Sequence, residues 1–134
     1  MKKSLLTLSM LVCAIIAYAK PPQLALESLF DGSYNGKKGI SVTTIKSKNN
    51  YFREIEISED NPALIKKIEG LIEKDAARAS NFTENHNEKR HERVFQIPNN
   101  GTFINVGVTR NLAKPYHSAP GFELFIQGPP EAFK

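Results

Sequence analysis

Asp31, Ser33 and Asn35, followed by Gly36, form a pattern that points at a hard cation. Alternate oxygen-bearing residues after a helix can converge on calcium, and Gly at the sixth position permits the sharp turn of a calcium loop. The second half of such a loop does not follow. The twelfth position, which needs a bidentate Glu, is Val42, and Lys37 and Lys38 would repel the ion. Asp31, Ser33 and Asn35 therefore stand as a weak metal candidate in what reads as a polar helix-to-strand turn. The overlapping run Gly32-Ser33-Tyr34-Asn35-Gly36-Lys37-Lys38 falls one residue short of phosphate-loop spacing. Lys38 takes the place of the magnesium-holding hydroxyl, and the order is helix to strand rather than strand to helix.

His86, His91 and His117 are the three imidazoles. A five-residue step puts the first two on different faces of a helix, and no zinc spacing relates them. Glu84, His86, Glu88 and His91 amount to an adventitious metal cluster at most. Without a Gly-x-Ser-x-Gly elbow, no motif supports a Ser nucleophile. Glu54 and Glu56 share one face of an alternating segment and read as solubility residues. The strongest binding candidate is the loop at 110–118, with Arg110, Lys114, Tyr116 and His117 as its ligand-binding residues. Two cations, a phenol and an imidazole suit an anionic or aromatic ligand. The loop is also long for a connection between two strands, and such loops are often functional. The sequence calls for no cofactor and names no catalytic residue.

The elements that must position these residues begin after an address. Lys2 and Lys3 precede an apolar run, Ala17-Tyr18-Ala19 is a small-x-small cleavage site, and Lys20-Pro21-Pro22 follows. This is the layout of a secretory signal peptide over residues 1–19, cleaved after Ala19. The apolar run is too short for a bilayer span, which takes about 20 residues. Cleavage leaves a single domain at 20–134 and no transmembrane span. Val12 before Cys13, and the apolar run beyond it, argue against a lipidated cysteine. Cys13 is the only cysteine. The exported chain therefore has no disulfide, thiolate nucleophile or thiolate metal site. Lys2 and Lys3 leave with the signal, so 16 basic residues face 14 acidic ones and the formal charge drops from +4 to +2. That balance is too weak to argue for nucleic acid, which wants a concentrated basic surface.

Residues 23–30 read as a short helix opened by two prolines. Residues 40–47 read as a β-branched strand whose alternation slips between Val42 and Ile45, as at a bulge or a shared face. In residues 51–58 the alternation is clean. Tyr51, Arg53, Ile55 and Ile57 share the face that meets the core, and Phe52, Glu54 and Glu56 share the other. Asn61-Pro62 starts the clearest helix, over 62–80, with Leu64, Ile65, Ile68, Leu71 and Ile72 on one stripe. Gly70 sits inside it, which would be explained by a close helix-to-sheet approach. Residues 81–92 are charged and aperiodic, and read as a solvated connection. Strands follow at 93–97, 102–109 and 121–127, the first two joined by an Asn100-Gly101 hairpin turn.

This order predicts an α+β fold: a mainly antiparallel sheet of about five strands, with the long helix and the short N-terminal helix on one face. The order leaves room for a single parallel crossover, strand to helix to strand, between Ser58 and Arg93. The signal, then Leu29-Phe30-Asp31-Gly32, then Ile65-Lys66-Lys67-Ile68-Glu69 and Asp75-Ala76-Ala77-Arg78-Ala79-Ser80-Asn81, resembles small exported Bacteroidetes proteins of families of unknown function. The resemblance covers residues 24–83. It implies an envelope location and an α+β domain, and it carries no active-site residues. The expectation is a non-enzymatic protein, periplasmic or extracellular, that binds a protein, a peptide or a cell-surface polymer. Phe52, Phe103 and Phe125 would populate the sheet face left free by the helix. The alternative is a small envelope hydrolase or transferase with a site near Tyr116 and His117.

Overall fold

The structure is a computed structural model and describes residues 24–58, 61–112 and 121–134. The expected signal peptide, residues 1–19, and its expected cleavage site lie outside the described residues. Six strands form one antiparallel sheet: β1 (Ile40–Lys46), β2 (Tyr51–Ile57), β3 (Asn81–His86), β4 (Arg90–Asn99), β5 (Thr102–Asn111) and β6 (Phe122–Gly128). They lie side by side in the order β1-β2-β6-β5-β4-β3. One α-helix, α1 (Pro62–Ala76), links β2 to β3, and 3-10 segments at Ala25–Phe30 and Pro130–Phe133 close the two ends. The α+β class and the antiparallel sheet agree with the sequence. The strand count does not, because residues 81–86 of the expected connection form a strand, the outer arm of a hairpin with β4.

That arm, β3, is exposed along its whole length and forms the sheet edge. An edge strand wet on both faces needs no apolar periodicity, which is why hydrophobic spacing misses it. Its partner is the backbone of β4, and Asn87 builds the turn between them. The Asn87 side-chain oxygen accepts from the Lys89 and Arg90 amides at 2.8 and 2.9 Å. The crossover does not end on the strand at Arg93, because β4 runs antiparallel to β2; the parallel crossover joins β2 to β3 instead. Three strands separate them, and α1 spans that gap across the sheet.

Asn61 caps α1, its side chain accepting from the Leu64 amide at 3.4 Å, and Pro62 takes the first turn. Leu64, Ile65, Ile68 and Ile72 are buried. The helix ends at Ala76, short of 80. Arg78 and Ala79 donate back three residues, to Asp75 and Ala76, and Ser80 then donates to Gln96 and enters the sheet. Gly70 is exposed, and a Cβ there would meet nothing within 4 Å. A close approach to the sheet therefore does not explain it.

The N-terminal helix is a 3-10 segment. Its three-residue turn puts Leu26 and Leu29 on one side, where both are buried. Asp75 of α1 caps it from outside: the carboxylate oxygens accept from the Ala25 and Leu26 amides at 2.8 and 2.9 Å. Loss of hydration raises the Asp75 pKa, and the two amide bonds only partly oppose this.

β1 and β2 pair without a bulge, Ile40 against Ile57 through Lys46 against Tyr51. The slip in the β1 pattern is a change of face. Ile40 and Val42 pack on the core, while Ile45 points the other way, opposite Phe52, and is 59% exposed. At the β4–β5 turn, Asn100 and Gly101 have φ of 51° and 75°, the paired left-handed values of a two-residue hairpin.

The core lies on one side of the sheet. Ile55, Ile57, Phe95, Ile97, Val106, Leu124 and Ile126 meet α1 and the 3-10 segments there. Arg53 shares that side at 5% exposure. Its guanidinium forms a two-pronged pair with Glu27, including Nη2 to Oε1 at 2.7 Å. The rings of Tyr51, Phe133 and Phe30 surround it at 4.2, 4.8 and 5.3 Å. One side chain thus ties both 3-10 segments to β2.

Candidate functional site

Of the loop residues singled out by type, Lys114, Tyr116 and His117 lie outside the described residues. Arg110 belongs to β5, not to the loop: the strand runs on to Asn111, whose amide donates to the Gly121 carbonyl at 3.0 Å. On the helix side of the sheet, Arg110 donates to Glu69 of α1 at 2.7 Å. It also lines a cavity of about 250 Å³ with Pro62, Ile65, Asn111, Leu112 and Gly121. That volume is below the range of about 300–1,000 Å³ of small-molecule sites.

Asp31 is engaged within its own turn. Its side-chain oxygen accepts from the Ser33 amide at 2.9 Å, and hydrogen bonding from Ser33 lowers its pKa. Asn35 donates its amide to Gly32, and Gly32, Gly36 and Gly39 take positive φ, so the segment is a chain of tight turns. His86 and His91 are not on a helix. The β3–β4 register sets them directly opposite, their rings stack at 4.7 Å, and His91 pairs with Glu84. No group of three or more His, Cys, Asp or Glu is placed to hold a metal among the described residues.

The sheet face away from the helix gathers more chemistry. Register puts Phe52, Glu54 and Glu56 of β2 beside Gln127, Phe125 and Glu123 of β6. Phe52 and Phe125 stack at 5.9 Å. Phe125 also fills the space over Gly107 of β5, where a Cβ would come within 2.1 Å of the ring. Any larger residue at 107 would evict this aromatic from the sheet surface. Phe103 and Val94 are 46% and 47% exposed on the same face. An amide line crosses three strands beside them: Asn81 donates to Gln96, and Gln96 to Asn105, each at 2.9 Å.

Glu54 and Glu56 stand in a group of carboxylates with Glu123. The Glu54 pKa is pushed up to about 7, first by lost hydration, then by a hydrogen bond with Glu56 and by the charges of Glu56 and Glu123. The Glu123 pKa is raised by lost hydration and by Glu56, against a weaker pull from Arg90. Sequence reading missed Glu123, although its place opposite Phe122 and Leu124 in the alternation was visible. What was not visible is that β6 lies against β2, which alone brings Glu123 to Glu56.

No helix among the described residues is long and apolar enough to cross a membrane. Compared with known proteins, the chain matches no family model, no curated protein and no solved structure.

Proposed function

We propose that this chain is an exported, non-enzymatic binding protein that docks a partner through the open face of its sheet. One observation carries the reading. Every buried apolar side chain of the sheet points to the helix side, while Phe52, Phe103, Phe125, Ile45 and Val94 stand on the other. Aromatic side chains on a flat surface are the usual anchors of protein interfaces, since each covers much area at little cost in conformational entropy. The hydrogen-bonded amides beside them supply the polar rim that gives a contact its register. Gly107 is part of the same arrangement, because its bare backbone is what lets Phe125 lie on the sheet.

Site-specific photocrosslinking tests the proposal. A crosslinker at Phe103 or Val94, on protein in its native envelope, should trap a partner; one at Lys66, on the outer side of α1, should not. Crosslinks from Lys66 alone would overturn the assignment of the face.

A further inference from the structure

The open face carries a charge opposite in sign to the chain as a whole. Glu54, Glu56, Glu92 and Glu123 stand on it by register, while Arg90 is its one cation among the described residues. Arg90 is already paired with Glu92, at 3.0 Å. The complete chain has 18 Lys and Arg against 14 Asp and Glu. The positive excess lies elsewhere, with Lys37, Lys38, Lys46 and Lys48 exposed in and around β1, whereas the three lysines of α1 are balanced by Glu69, Glu73 and Asp75.

The carboxylates and the aromatics are interleaved. Glu54 is opposite Phe125, Glu56 is opposite Glu123, and Phe52 precedes Glu54 by two residues on the same side of β2. Side chains two residues apart on a strand are separated by about 6.6–6.8 Å. Alternate side chains of any extended peptide have the same spacing.

This inference rests on the open face being a docking surface. Given that, we infer that its occupant is a basic polypeptide segment in which Lys or Arg residues accompany apolar ones. A cation set among Glu54, Glu56 and Glu123 relieves the mutual repulsion of three carboxylates, which Arg90 opposes only weakly and only at Glu123. An apolar neighbour on the same segment then lies on Phe52 and Phe125 or on Phe103. The aromatic faces also attract the cation directly. Charge complementarity of this kind sets partner choice and encounter rate. The protein is positive overall, so bulk attraction works against a basic probe, and preferential binding reports the face itself.

The test uses three fluorescent synthetic peptides of equal length, in which Leu alternates with Lys, Ser or Glu, titrated by anisotropy against the purified protein. The Lys–Leu probe should bind about tenfold more tightly than the Ser–Leu probe at low ionic strength, and the advantage should shrink in salt. Glu54→Gln, Glu56→Gln and Glu123→Gln together should abolish the advantage. Circular dichroism confirms folding, which these isosteric changes on the side away from the core should preserve. Equal binding of the Lys and Ser probes, no binding of either, or an advantage that survives the triple change would overturn the inference. Phe103→Ser with Val94→Ser separates this failure from that of the underlying reading. If that pair weakens binding of every probe while the Glu changes do nothing, the face is a docking surface but not for basic segments. If neither set of changes affects binding, both readings fall. A dimer in ultracentrifugation that Phe103→Ser dissolves would give the face to a second copy of this chain instead.

Discussion

Removing Glu27 should damage this protein more than removing the arginine it pairs with. Arg53 is a charge in the core, 5% exposed, and its Nε has no hydrogen-bond partner among the described residues. Glu27→Ala leaves that guanidinium in a low-dielectric site with only three aromatic rings for company. Breaking a buried pair in this way costs about 3–5 kcal/mol. The rings hold back part of this through cation–π attraction of about 0.5–2 kcal/mol. About 3 kcal/mol is therefore expected. Arg53→Met removes the charge and the orphaned Nε together, and keeps an apolar stem against Tyr51 and Phe133. Glu27, at 23% side-chain exposure, can then turn to water. This change should cost about 1 kcal/mol, and the double variant no more than that, by the same reasoning about buried pairs. The coupling energy of the cycle is then about 3 kcal/mol. The assay is urea unfolding followed by far-UV circular dichroism, since the chain has no Trp to report by fluorescence. If Glu27→Ala proves no more harmful than Arg53→Met, the guanidinium is hydrated and the account of the core face is wrong.

Three further outcomes follow from the geometry. Asp75→Ala strips the acceptor from two amides at the start of the 3-10 segment. It should cost about 2–3 kcal/mol in urea unfolding and speed hydrogen exchange at Ala25 and Leu26. Gly70→Ala, at an exposed helical position with open space for a Cβ, should raise stability by about 0.5–1 kcal/mol. The Glu54 pKa is raised from 4.5 to about 7 on folding, so the native state favours its protonated form. That contribution is complete below about pH 4.5 and is lost as pH climbs through about 7. Solvent screening on the open face reduces it to about 1 kcal/mol. Thermal unfolding across this range should show the fall in wild type and a flatter profile in Glu54→Gln; identical profiles would remove the carboxylate cluster from the argument.

The open face and the core face give Glu and Arg opposite treatments on neighbouring positions of one strand. Arg53 is buried because a carboxylate and three rings meet it there. Glu54, the next residue, points away from the helix, toward two more carboxylates. A monomer gains nothing from that grouping, and its repulsion lowers the stability of the protein near neutral pH. An incoming cation would turn the same grouping into an attraction.

Residue order alone determined whatever depends on neighbours along the chain. Alternation in 51–58 and 121–127 sorted Arg53 from Glu54 and Leu124 from Phe125. Asn61-Pro62 marked the helix start, and Asn100-Gly101 marked the tightest hairpin, because caps and turns are set within a few residues. Local pattern could not reveal β3, whose order comes from hydrogen bonds to β4 and not from burying apolar groups. It could not place Arg110 against Glu69, or stack His86 on His91, because those contacts depend on which elements become adjacent. Tertiary structure alone decided that β6 inserts between β2 and β5, and that single adjacency assembles both the carboxylate group and the aromatic pair of the open face. Strand pairing joins residues some seventy positions apart, and nothing in either segment by itself specifies its partner.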